Sequence, residues 1–172
     1  MGIQTAIHKE LQASIDLIYV PAGFECTTPI AEHESAEYGA YSFLLNKRTV
    51  LFRVAKITPT KTGQFVTLWK RSKDGPIEPF SVFDDIDYVI ICAREGDLFG
   101  QFIFPKTVLM DKGVFSTQAK EGKRAIRVYP PWSAANNKQA QQTQKWQLNY
   151  FLDVAANKLM NFARVKQLFG VE

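Results

Sequence analysis

Eight Lys and Arg side chains and no Asp or Glu lie between residues 47 and 73. The segment reads VLFRVAKI, then TPTKTG, then QFVTLWKR, so two β-branched and aromatic runs flank a polar turn. That pattern predicts two sheet strands joined by a basic loop. Cations without carboxylates suit a phosphate backbone and cannot hold a divalent metal, which takes oxygen ligands. Strand residues two apart share a face, so Phe52, Val54 and Lys56 oppose Arg53, Ala55 and Ile57. Lys56 then leads into Thr58, Thr60, Lys61, Thr62 and Gln64, a donor-rich loop able to cradle phosphate oxygens. The plainer alternative is an exposed turn whose threonines satisfy the nearby backbone.

Aromatic rings beside cations are what stacking on unpaired bases requires. Phe65 and Trp69 share a strand face, although core filling is the ordinary fate of such a Phe. Trp132 in a Pro-Pro-Trp corner, and Arg127 with Tyr129 on one strand face, are better placed for an open platform. Residues 136–147 carry Asn, Lys or Gln at most positions, as a backbone-following or simply solvated helix would. The candidate nucleic-acid contacts are therefore Arg53, Lys56, Thr58, Thr60, Lys61, Thr62, Gln64, Lys70 and Arg71. Lys106, Lys123, Arg124, Arg127, Tyr129, Trp132, Lys138, Lys145 and Trp146 extend the track. No helix-turn-helix reader is evident, so weak sequence preference is expected. The aromatics favour RNA or single-stranded DNA over duplex.

Catalytic constellations are weaker. His8 falls on a helix and His33 in an acidic loop, and GxSxG, HExxH, P-loop and GxGxxG motifs are missing. The densest carboxylate run, Asp84-Asp85-Ile86-Asp87, reads as a solvated strand entry, with metal binding the minority alternative; Glu37 is the other acid near the basic segment. A divergent metal-dependent nuclease would have to use Glu37 with Asp85 or Asp87. No cofactor is implied.

The elements that must position these groups can be read from periodicity. Ile7, Leu11, Ile15 and Ile18 mark an amphipathic helix over 5–19, ended by Pro21 and Gly23. Strands are expected at 38–45, 50–57 and 64–71, then at 88–93, 99–104 and 123–129, with one helical turn at 107–110. A helical pattern runs from 136 to about 169, as one helix or broken near Asp153. This order predicts a single α/β domain over 1–172, a sheet covered by helices from both chain ends.

Composition agrees with a globular chain: 172 residues, 46% apolar and 13% aromatic, with a net charge of +4. The charge is blocked: residues 1–46 hold six acids against Lys9, and 74–97 hold seven against Arg94. Residues 101–152 reverse this, with eight bases against Asp111 and Glu121, so folding could sort a basic face from an acidic one. Cys26 and Cys92 are far apart and outside any CxxC, as expected of buried thiols in a reducing compartment. Neither a signal-peptide pattern nor an apolar run near membrane length occurs, so a cytoplasmic protein without membrane partners is expected; oligomeric state stays open.

The runs FRVAKITPTKTGQFVTLWKR, FGQFIFPK, KRAIRVYPPW and NKQAQQTQKWQLNYF resemble the MepB-like proteins of bacteria across residues 37 to about 153. That family takes its name from a protein encoded beside a multidrug efflux pump. The resemblance implies a PD-(D/E)XK, restriction-endonuclease-like core: a mixed central sheet flanked by helices. Active members of that superfamily carry an acid and a Lys two residues apart on one strand. Here the two possible frames, Val54-Ala55-Lys56 and Leu68-Trp69-Lys70, place an aliphatic residue where the metal-ligating acid belongs, which rules out two-metal hydrolysis at this motif. The resemblance thus implies a nuclease scaffold kept for binding nucleic acid, in an antimicrobial or stress response. A drug- or partner-binding accessory of an efflux operon is the other role it suggests.

Overall fold

The computed structural model describes residues 6–154 and 159–171. At its centre is β8 (Tyr88–Glu95), paired parallel to β3 (Arg48–Val54) and antiparallel to β9 (Leu98–Pro105). β2 (Tyr41–Leu45) forms a hairpin with β3, turned by Asn46 and Lys47 with φ of 50° and 66°. Both central turn residues at positive φ match the right-handed twist of the flanking strands. β1 (Ile30–Ala31) and β11 (Phe151–Asp153) close the two edges, giving the order β1-β2-β3-β8-β9-β11. The chain is thus an α/β protein with a mixed central sheet between helices.

Alternation within the strands divides the core. Val50, Phe52, Ile90, Cys92 and Ile103 face α1 (Lys9–Ser14), its π-helical extension Ile15–Tyr19, and α4 (Phe162–Leu168). Leu51, Val89, Ile91, Ala93, Phe102 and Phe104 face the other way. Over them lie α2 (Lys106–Asp111), α3 (Lys138–Gln147) and two small sheets. One small sheet pairs β10 (Ala125–Val128), β5 (Gln64–Thr67) and β4 (Lys56–Ile57); the other pairs β6 (Trp69–Arg71) with β7 (Ile77–Pro79). Under α1 a closed polar chain links Tyr19 Oη to Gln101 Oε1 at 3.0 Å and Gln101 Nε2 to Ser14 Oγ at 3.0 Å. The Cys92 thiol sits beside this pair, and burial pushes its pKa up to about 12, so it stays protonated.

One expectation is corrected and one open alternative is decided. The basic segment is not one hairpin: it crosses all three sheets, because the chain ends β3 and parts from its neighbour β8 after the Ala55 N–H bonds to Cys92 O at 2.9 Å. Of the two readings of 136–169, one helix or a break near Asp153, the chain takes the break. Phe151 and Leu152 instead extend the sheet edge beside Gly100, where a Cβ would lie 2.6 Å from Leu152 O and closer still to the Phe151 ring. Residues 155–158 of that stretch, and residue 5 of the first expected helix, lie outside the described residues. Among the described residues no helix is long and apolar enough to cross a membrane.

Arg53 also departs from expectation. It was expected among the phosphate contacts, yet its side chain is 0% exposed. Its strand is covered on both faces, so a cation there must be buried and partnered. Nη2 lies 2.8 Å from Glu32 Oε2, Nη1 donates to Phe52 O at 3.0 Å, and Nε donates to Thr67 O at 3.3 Å. The Nη2 contact is close but lies off hydrogen-bond geometry, so charge attraction holds it. Burial pushes the guanidinium pKa down and the Glu32 charge opposes that fall. Removing the carboxylate charge leaves a buried cation without its counter-ion. Glu32→Gln is therefore expected to lower the unfolding free energy by about 2 kcal/mol, below the full buried-pair cost because Glu32 keeps some solvent contact. Urea titration reads this, and a loss under about 0.5 kcal/mol would contradict it.

Candidate functional site

A cleft of about 620 Å³ opens between β10, α3, the loop joining β4 to β5, and the turn after α2. α3 begins where the Asn137 side chain accepts the Ala140 N–H at 2.8 Å, capping the first turn. At its other end Gln147, 1% exposed, fastens the helix to the strand. Gln147 Oε1 accepts the Tyr129 N–H at 2.8 Å, and its Nε2 donates to Arg127 O at 2.9 Å. Gln144 Nε2 donates to Pro130 O and Ser133 O, both at 3.0 Å, and fixes the Pro-Pro corner under the same helix.

The facing wall is set by Gly63. Its φ is +75°, and a Cβ would lie 2.7 Å from the Tyr129 ring and 2.9 Å from Val128 O. Only glycine meets both demands, and the loop therefore lies flat on Tyr129. Arg127 is tied into that loop: Nη2 donates to Thr58 Oγ1 at 2.8 Å and Nη1 to Thr62 O at 3.2 Å. Its guanidinium stands 5.8 Å from the centroid of Phe65, its cross-strand neighbour. Anchored in this way, the guanidinium presents a fixed plane to the cleft, the geometry that suits an anion.

Lys61, Lys112, Lys123 and Arg127 line the cleft with Tyr129, Trp146 and the polar Thr60, Thr62, Asn136, Asn137, Gln139 and Thr143; no Asp or Glu is among the described lining residues. An adjoining depression of about 530 Å³ shares Lys112, Gln139, Thr143 and Trp146 and adds Lys145 and Asn149. Cations from three separate elements thus meet on one concave surface, where potential from like charges adds. Such a lining can hold phosphate oxygens by charge and hydrogen bond, and can offer ring faces to a planar group.

The structure brings together Thr60, Lys61, Thr62, Lys123, Arg127, Tyr129 and Trp146, with Lys145 alongside, and puts Thr58 behind them as the anchor of Arg127. Other expected contacts lie elsewhere, for physical reasons. Gln64 is 2% exposed and donates to Arg94 O. Lys56 lies 4.8 Å from the centroid of Tyr38. Lys70 pairs with Asp84 at 2.6 Å, and Lys106 Nζ donates to Asp84 O at 2.7 Å. Arg71 pairs with Glu34 at 2.7 Å; hydrogen bonds from Arg71 and then Trp69 hold that carboxyl below its ordinary pKa. Arg124 pairs with Glu121 at 2.9 Å. Trp132 meets Phe151 edge-on in the core, its buried Nε1 without a partner among the described residues. Lys138 is exposed in the first turn of α3, outside the lining. Lys112 and the Gln147 clasp were missed: the first is a lone cation after a short helix, and nothing local marks the second.

The acids weighed for metal chemistry stand apart from this cleft. Glu37 is exposed on the 3-10 turn Ala36–Tyr38, Asp85 is exposed, and Asp87 Oδ2 accepts the Thr49 N–H at 2.8 Å. Among the described residues no three His, Cys, Asp or Glu side chains converge as a metal site would require.

A family model described as MepB-like matches residues 32–153. The crystal structure of MepB is similar at 38% identity and a TM-score of 0.75, covering 86% of this chain and 98% of that one. The bacterial homing endonuclease I-Ssp6803I is more distant, at 16% identity and a TM-score of 0.47, covering 80% of this chain and 85% of its own; a likeness that slight transfers no activity. None of the curated proteins matches.

Because Gln147 alone satisfies two backbone groups across the helix-strand junction, Gln147→Leu keeps the volume and orphans both. An orphaned buried group costs about 1–3 kcal/mol. The variant should lose about 2–6 kcal/mol in urea unfolding, and Tyr129 and Arg127 amides should exchange faster with solvent. Unchanged exchange at both would contradict the clasp.

Proposed function

The chain belongs to the MepB-like family, and from that premise we propose that it binds the phosphate backbone of RNA or single-stranded DNA in the cleft between β10 and α3, without cutting it. One observation carries this reading: among the described residues four cations and no carboxylate line the cleft, although acids pair with Lys70, Arg71 and Arg124 nearby. A surface for a cationic drug or a metal would have the opposite charge.

Each lining group then has a role. Arg127, already oriented by Thr58 and Thr62, meets one phosphate in a fixed plane, while Lys61 and Lys123 neutralise its neighbours as mobile charges. The amides of α3 follow the backbone, and Tyr129 and Trp146 offer rings to bases that a duplex would keep paired. Contacts to phosphate position a strand without reading its sequence, so weak sequence preference follows. Cleavage is not part of the proposal, because Val54 and Leu68 stand where the nuclease motif needs an acid and an aliphatic side chain binds no metal.

Salt dependence tests the reading. Four phosphate contacts to a single strand predict that affinity falls roughly fifty-fold between about 50 and 200 mM salt. In the double variant Lys61→Met, Lys123→Met, two contacts remain and the same step should cost roughly sevenfold. Lys70→Met should behave as the parent. A flat salt response, or a double variant indistinguishable from the parent, would overturn the proposal.

A further inference from the structure

The two depressions meet at four side chains, Lys112, Gln139, Thr143 and Trp146, of which one is a cation and one an aromatic ring. Lys112 and Trp146 line both, so any strand running from the Arg127 end to the Lys145 end must pass over them. Trp146 is a half-buried ring packed on Phe104, with centroids 5.4 Å apart and planes at 49°. On the solvent side, Lys112 holds its ammonium 5.6 Å from the Trp146 centroid. Lys112 itself is exposed and follows α2, with Gly113 in the left-handed conformation at φ +70° behind it. The ring is backed by the core and capped by a flexible cation.

A cation over an indole face occupies the same space a stacked base would take, and the contact at an exposed site is weak. Base stacking on an aromatic ring is stronger and needs the face clear. We propose that Lys112 caps Trp146 in the free protein and is displaced by an unpaired base of the bound strand, its ammonium moving to the adjacent phosphate. This deepens the proposed function and rests on it. Lys112 is then a gate over the stacking platform as well as a charge, and Trp146 is where a base is held.

The assignment separates two effects that a simple charge contact would not. Losing the ammonium weakens binding of any strand by removing a phosphate contact, yet frees the ring for a base-bearing strand alone. The probes are a thymidine oligomer and an abasic oligomer of equal length, measured by fluorescence anisotropy at one salt concentration. The parent should prefer the base-bearing strand by roughly tenfold, the scale of one stacked base. In Lys112→Met that preference should rise about threefold further, the scale of one exposed cation–π contact. Trp146→Leu should cut the preference several-fold, leaving only what Tyr129 contributes; should it unfold, Lys112→Met still decides, since Lys112 lies on the surface. A 2-aminopurine base in the strand should be quenched on binding to the parent and more strongly on binding to Lys112→Met.

If both strands bind the parent but the preference is the same in Lys112→Met, Lys112 is a phosphate contact only and the gate is overturned. If Trp146→Leu folds and keeps the full preference, the platform is overturned. If neither strand binds the parent, the proposed function fails and the gate fails with it.

Discussion

The junction between α3 and β10 depends on one buried amide. An amide carries a donor and an acceptor a fixed distance apart, so it can close the two backbone groups that a strand leaves open where its ladder stops. Gln147 does this for Arg127 and Tyr129, the last rungs before the chain turns into Pro130. The clasp works beside the Gln144 bonds to the Pro-Pro corner and the Trp146 ring on Phe104, because α3 buries fully only Ala140 and Gln147. The cleft, the orientation of Arg127 and the placing of Trp146 over Phe104 all follow from holding that helix there.

Charge pairing then decides which cations are left to face outward. Glu32, Glu34, Asp84 and Glu121 each engage a basic side chain that the primary structure offers equally well to a ligand. Arg53 and Glu32 serve the core, while Lys70 and Arg71 are tied on the outer small sheet. What remains concave and acid-free lies over the β10 side of the molecule, fed by Lys61, Lys112, Lys123 and Arg127 from distant segments. A modest net charge of +4 is thus compatible with a concentrated local field.

Much of the architecture was legible from pattern. The strands expected at 38–45, 88–93 and 99–104 stand as β2, β8 and β9, with β8 buried on both faces. Arg127 and Tyr129, two apart on one strand, do share a wall of the cleft. One long helix and a break near Asp153 both fitted the pattern because Leu148–Tyr150 keeps a helical turn, so local spacing runs on while the chain enters the sheet edge. What redirects it is Gly100, a long-range neighbour. Arg53 could have been placed in the core from its setting, VLFRVA, since an apolar strand covered on both faces leaves no exit for its one cation. Lys112 and Gln147 were not legible, because each acquires its meaning only from a partner brought close by the tertiary fold.

The most direct measurement of the central claim is nuclear magnetic resonance mapping of a short single-stranded oligonucleotide on the isotope-labelled protein. Shifts should concentrate at 60–63, 112, 123, 125–129 and 136–146 and leave Lys70, Arg71 and Lys106 unmoved. Shifts centred on the 70–84 region, or spread evenly over all the lysines, would contradict the account.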